Sequence, residues 1–157
     1  MKIICLKELS KAQSKAIFNL WNNEYPRQLV HATIEKQNAY LDRLEDKKHF
    51  LLLNNHNETI GWGLVFNRDG EKWFAMIISE KFQRQGFGTL LLTELKKGHL
   101  KLNGWVIEQN DYTRICGEKY TSPINFYLKN NFQLLKDIRF DSEQISVVKI
   151  QWTRKKS

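Results

Sequence analysis

Apolar positions along this chain recur at two spacings, and the switches between them mark out its elements. "MKIICLKEL" begins as a short strand, and Ser10 takes the N-cap position of a first helix. In "KAQSKAIFNLWNNEY" the residues Ala16, Ile17, Leu20 and Trp21 fall at helical spacing, and Pro26 ends that helix. "TIEKQNAYLDRLEDKK" sets Ile34, Leu41 and Leu44 on one side of a second helix. "HFLLLNN", "TIGWGLVF" and "EKWFAMIIS" read as strands separated by the turns "HNE" and "NRDG", so Ile60 to Ser79 is an antiparallel hairpin. A third helix runs up to Gly98, which takes the C′ position. "LNGWVIEQN" is a fifth strand, "SPINFYLKN" a short helix with Pro123 in its first turn, and "FQLLKDIRF" and "QISVVKIQW" are closing strands. No linker or repeat interrupts the series, so residues 1–157 are read as one domain of the mixed α/β (α+β) class with a largely antiparallel sheet.

Composition narrows this picture. With 41% apolar and 12% aromatic residues the chain can close a core of its own. No apolar run approaches the ~18 residues of a membrane span, and the apolar start is too short for a signal peptide. A cytoplasmic protein with no membrane partner is the expectation. Cys5 and Cys116 form no CxxC, and His31, His49, His56 and His99 are scattered, so no metal site is expected. The formal charge of +8 would suit nucleic acid, an acidic surface or a polyphosphate. The basic residues are dispersed, with no aromatic-interleaved stripe, which argues against nucleic acid as the main partner. The terminal run Arg154 to Lys156 reads as a solvated end.

One stretch carries chemistry. In "SEKFQRQGFGTLLL" a buried-looking strand passes through a short loop into a helix whose first turn holds Gly86 and Gly88. Unpaired amides and the positive end of the helix dipole meet there, and glycine lets an anion approach the backbone. Arg84 adds a cation. A dinucleotide fingerprint would need a third glycine where Leu91 stands, and a P-loop needs a Lys after its second glycine, which Gly88 lacks. Taken locally, the stretch reads equally well as a phosphate cradle or as a tight strand-to-helix turn.

The same residues resemble motif A of the Gcn5-related N-acetyltransferase (GNAT) family, Gln/Arg-x-x-Gly-x-Gly/Ala, with Gln83, Gly86 and Gly88 at its defined positions. "SPINFYLKNNFQLL" resembles motif B, A-x-x-F-Y-E-K-x-G-F. Phe126, Tyr127, Lys129 and Phe132 match, while Pro123, Leu128 and Asn131 depart from it. The order of elements is similar over nearly the whole chain. The resemblance implies a GNAT-like fold: a mixed, mostly antiparallel sheet of roughly six to seven strands with about four helices, splayed in the middle to admit acyl-CoA.

By resemblance, the amides of Gln85, Gly86, Gly88 and Thr89, flanked by Gln83 and Arg84, would hold the pyrophosphate of coenzyme A. Met76 and Ile78 would pair their backbone with its pantetheine arm, against "GWVIEQN" as the second splayed strand. The implied reaction uses acetyl-CoA as co-substrate and a small-molecule or peptide amine as acceptor, by direct attack. Positioning of two bound reactants supplies several kcal/mol, so no covalent enzyme intermediate is needed. Tyr127 suits the general acid, because a phenol of pKa near ~10 stays protonated at neutral pH. An amide of the bulging strand, that of Ile78, suits the oxyanion.

The base is less well marked, since "WFAMIIS" has no carboxylate. Glu108 is the candidate, with Asp111, Glu118, Glu24 and His31 as lesser ones. Tyr120 stands where the family commonly has an Asn, seven residues before the motif tyrosine. Trp21, Tyr25 and Tyr40 suit either an aromatic acceptor pocket or plain core. The runner-up functions are a catalytically degenerate coenzyme A sensor or scaffold, and a basic RNA module. A homodimer stays open.

Overall fold

The computed structural model describes residues 1–155. Seven strands form one sheet in the order β1-β2-β3-β4-β5-β7-β6. They are β1 (Lys2–Leu6), β2 (Glu45–Leu53), β3 (Thr59–Arg68), β4 (Glu71–Ile78), β5 (Lys101–Val106), β6 (Phe132–Asp141) and β7 (Ser146–Thr153). Four helices connect them: α1 (Lys11–Glu24), α2 (Ile34–Asp42), α3 (Phe87–Lys96) and α4 (Ile124–Lys129). Every neighbouring pair is antiparallel except β4 and β5.

Local sequence explains most boundaries. Ser10 caps α1 in a reciprocal box: its Oγ accepts from the Gln13 amide at 3.1 Å, and its own amide donates to Gln13 Oε1 at 2.8 Å. Helix α2 ends at Asp42, earlier than its apolar spacing predicts. Residues from Glu45 onward are drawn into β2 because they find partners on β3, Glu45 opposite Asn67 and Lys48 opposite Val65. Tertiary pairing overrides local periodicity here. Asp46, with φ 50°, takes up the irregularity and accepts from Lys72 and Asn67. Strand β5 is likewise shorter than predicted, stopping at Val106.

The sheet is buried on both faces. Trp62, Leu64 and Phe66 of β3 point to the side covered by α1 and α2, where Ile17, Leu20, Trp21 and Leu41 meet them. Val65 points to the other side, with Phe74, Leu92, Leu95, Tyr127 and Phe132 under α3 and α4. This alternation is the pleat of a two-faced sheet.

The β4–β5 join positions the candidate site. These two strands run parallel and pair in register at one step, Trp73 opposite Asn103. Beyond that step, towards Ile78 and Val106, they diverge. The expected bulge in β4 is absent: its register with β3 is unbroken from Glu71 to Ile78. The splay therefore comes from β5 leaving β4, while β4 stays regular.

His49 is buried in the α1-side core, and its Nδ1 accepts from Trp62 Nε1 at 3.1 Å. Burial, with a smaller contribution from Lys47, lowers its pKa from 6.5 to about 4. Because the unfolded chain then binds the proton more readily, His49 costs no stability above pH 6.5. Its penalty grows as pH falls towards 4, to at most about 3 kcal/mol. Denaturant titrations between pH 7 and pH 4 should show this decline. His49→Asn, which keeps an acceptor near Nδ1 and does not titrate, should flatten it. An identical slope in the variant would assign the acid lability elsewhere.

Candidate active site

The loop between β4 and α3 is built by backbone conformation. After a short 3-10 turn at Glu80–Phe82, Gln83 sends its Nε2 back to the Ile78 carbonyl at 2.8 Å, which closes the end of β4. Arg84 (φ 63°) and Gly86 (φ 86°) both adopt left-handed conformations, and Gly86 is the N-cap of α3. A Cβ on Gly86 would meet nothing within 4 Å, so glycine is needed there for its φ. Among the described residues, the amides of Arg84, Gln85, Gly86, Phe87, Gly88 and Thr89 find no acceptor in the protein. Two left-handed residues so close to a helix N-terminus make a concave set of donors, a geometry that holds oxyanions.

Gly88 has a different role. A Cβ there would lie 3.1 Å from the Phe126 ring, with the Met76 methyl at 3.9 Å. Helix α3 can therefore approach α4 and β4 only with a bare backbone at this point. The "QGFG" and "NFYLKN" stretches touch through this contact, and their joint occurrence in the sequence has a packing cause.

Strand β4 offers its backbone to the gap. The Ser79 amide donates to the Ile60 carbonyl at 2.9 Å, towards β3. By the two-residue alternation of an antiparallel ladder, the amides and carbonyls of Ile78 and Met76 turn to the β5 side. The Ile78 carbonyl is occupied by Gln83, and its amide stays directed at the gap.

Tyr127 lies beside the gap, buried, with its ring edge-on to Phe74, Phe126 and Phe132 at centroid distances of 5.7, 5.1 and 5.3 Å. Burial pushes its phenol well above the ordinary range, with a smaller contribution from Tyr120. Burial raises Tyr120 too, and raises Tyr25, which Tyr120 and Tyr127 push further. Tyr120 thus fills its position with a protonated phenol instead of an amide. Trp21, Tyr25, His31 and Tyr40 form one cluster of edge-on and tilted rings, with Trp21 4.6 Å from both Tyr25 and His31, and Trp21 Nε1 donating to the Leu29 carbonyl. Trp21 is core, and the cluster fixes the α1–α2 connection.

The carboxylates are distributed differently from expectation. Glu108 is held by Arg139 of β6 at 3.0 Å through Oε1, on the flank of β5 opposite β4. Its Oε2 has no partner among the described residues. Glu24 gives Oε1 to Arg114 at 3.0 Å and Oε2 to the Glu80 amide at 3.0 Å, and burial raises its pKa in spite of both contacts. Glu118 also binds Arg114, at 2.7 Å, as does Glu80, at 3.2 Å. Asp111 is exposed in the following loop, and the His31 backbone is fixed by Asn22 while its ring Nε2 is buried without a partner among the described residues.

Arg114 is the residue that sequence reasoning missed. It is buried, and its guanidinium joins the end of α1, the turn after β4 and the loop before α4. The same loop docks by backbone, Arg27 amide to Thr113 carbonyl at 3.0 Å. Glu24 and Glu80 are ninety and 34 positions away, so these pairings leave no local signal.

A sequence model described as an acetyltransferase (GNAT) domain matches residues 46–134, more than half of the chain. The chain belongs to the GNAT acetyltransferase family. Its fold is shared by aminoglycoside 6'-acetyltransferase type Ii (TM-score 0.73, 12% identity, all of both chains). It is shared also by a mutant spermidine N-acetyltransferase from Vibrio cholerae (0.66, 16%, 98% of this chain and 95% of that one). A third is a GNAT-family acetyltransferase from Staphylococcus aureus (0.66, 14%, 98% and 100%). No curated protein sequence matches the chain. Family membership makes this GNAT chain an N-acetyltransferase, and family members in general use acetyl-CoA as co-substrate. Among the described residues, no helix is long and apolar enough to cross a membrane, and no three His, Cys, Asp or Glu side chains gather as metal ligands.

Replacing Arg114 with Met would strand the buried Glu24 carboxylate. Stability should fall by about 3 kcal/mol, read as a lower denaturation midpoint, and the double variant Arg114→Met with Glu24→Gln should recover part of it. A midpoint unchanged in the single variant would remove Arg114 from this structural role.

Proposed function

We propose that this protein transfers the acetyl group of acetyl-CoA to a primary amine by direct attack, without an acyl-enzyme. The observation that carries the reading is the row of unpartnered amides from Arg84 to Thr89, next to a gap in the sheet that β4 lines with free backbone. Gln85, Gly86, Gly88 and Thr89 suit the pyrophosphate, with Gln83 closing β4 and Arg84 supplying charge. Met76 and Ile78 suit the pantetheine arm. The net charge of +8 favours a polyanionic co-substrate over long range.

The chain's own groups then have separate tasks. A gap-facing amide of β4 donates to the carbonyl oxygen as negative charge develops on it. As the C–N bond forms and the C–S bond breaks, the leaving thiolate takes a proton from Tyr127, which burial keeps protonated at rest, and the phenol is restored by the second proton that the nitrogen sheds as it becomes the amide. Glu108 accepts the proton of the ammonium through Oε2 by way of water. Its other oxygen is held by Arg139, so this is the smaller contribution. The acceptor is a small molecule or a peptide amine. A sensor or scaffold that only binds coenzyme A would share the loop and need no Tyr127 phenol.

Thioester loss can be followed with acetyl-CoA and a panel of amines. Tyr127→Phe should lower kcat by about 100-fold with little change in KM for acetyl-CoA. Glu108→Gln should lower kcat/KM by less than about tenfold. Wild-type protein that binds acetyl-CoA yet acetylates no amine in the panel, as Tyr127→Phe does not, would favour the sensor.

A further inference from the structure

We infer that Phe74 forms the floor of the acyl slot and restricts the transferred group to a short acyl chain. The inference rests on the splay being the thioester site. It concerns a property that neither motif encodes, which is how deep the slot is.

The floor begins where the strands last touch. Asn103 is fully buried, and its amide spends all its capacity on joining strands. Nδ2 donates to Glu71 Oε2 and to the Lys72 carbonyl, both at 3.0 Å, and Oδ1 accepts from Gln151 of β7 at 2.8 Å. A buried polar side chain satisfied on three sides is costly to move. The step below the slot is therefore fixed.

One residue further along each strand stand Phe74 and Gly104. A Cβ built on Gly104 would lie 2.7 Å from Phe74 Cε1 and 3.1 Å from Cζ. The phenyl ring thus fills the space that a side chain of β5 would otherwise take, immediately above the last paired step. It cannot swing away, because Tyr127 and Phe132 press on it at 5.7 and 5.4 Å and it is buried. The ring also lies on the face of the sheet that carries Tyr127. A thioester whose sulfur reaches the Tyr127 phenol meets the Phe74 ring with its acyl carbons. An acetyl methyl needs little depth there, whereas each further methylene must displace a close-packed aromatic ring, which such interiors resist.

Equilibrium binding tests this without knowledge of the acceptor. Dissociation constants for coenzyme A, acetyl-CoA, butyryl-CoA and hexanoyl-CoA would be measured by calorimetry on wild type, Phe74→Ala and Phe74→Leu. Wild type should bind the longer thioesters more weakly than acetyl-CoA. Phe74→Ala should improve the butyryl to acetyl affinity ratio by about tenfold, and Phe74→Leu should shift it the same way by less, with binding of coenzyme A itself unchanged in both. Thermal melts check that each variant is folded, and Phe74→Leu carries the test if Phe74→Ala is not. Wild type that binds neither coenzyme A nor acetyl-CoA would overturn the reading of the site. Wild type that binds both, with a length preference that neither folded variant alters, would overturn the role of Phe74 alone.

Discussion

The sheet is continuous because of one parallel step, Trp73 opposite Asn103. On one side of it lie β1 to β4, and on the other β5, β7 and β6. With fewer steps the chain would fall into two half-sheets. With more, β4 and β5 would zip together and consume the backbone groups that now face the gap. Asn103 holds the step by side-chain bonds to β4 and β7, so the pairing needs no second rung. Immediately above it the Phe74 ring fills the place of the side chain that Gly104 lacks. A buried amide that ties the strands and an aromatic ring packed over Gly104 stand where the opening in an otherwise antiparallel sheet begins.

Everything at the candidate site is organised around that opening. Strand β4 stays regular against β3, so its outward amides and carbonyls are in fixed positions. Its end is closed by Gln83, and the chain turns through two left-handed residues into α3, whose first amides are left without partners. Close contact of Gly88 with Phe126 brings α4 and Tyr127 to the same place. Arg114 binds three carboxylates and holds the loop before α4 onto the α1–α2 side. The α1–α2 side is thereby held by a cluster of aromatic rings and an ion cluster.

Much of this was legible in the sequence, and the parts that were not have a common cause. Hydrophobic periodicity located every strand and helix, and Ser10 and Gly98 marked boundaries because capping is local chemistry. The ends of α2 and β5 were misplaced because strand partners distant in the chain decide them. The spacing of Gln83, Gly86 and Gly88 pointed to the loop, though it could not separate their tasks. Gly86 serves conformation and Gly88 serves packing. Arg114 pairs with Glu24, ninety positions away, and Glu108 pairs with Arg139, so neither could be read from spacing. The packing of Phe74 over Gly104 was hidden for the same reason.

The central claim is that the unpartnered amides before α3 hold the pyrophosphate of acetyl-CoA. A thermal-shift titration of the purified chain with acetyl-CoA, set beside S-acetylpantetheine, which lacks the pyrophosphate, tests it most directly. At about one hundred times its dissociation constant, acetyl-CoA should stabilise the fold by about 2.7 kcal/mol, roughly 5–10 °C for a chain of this size. S-acetylpantetheine should give almost none of that, and Gly86→Glu should lose the acetyl-CoA shift. An unchanged melting curve with saturating acetyl-CoA, or equal shifts from the two compounds, would contradict the account.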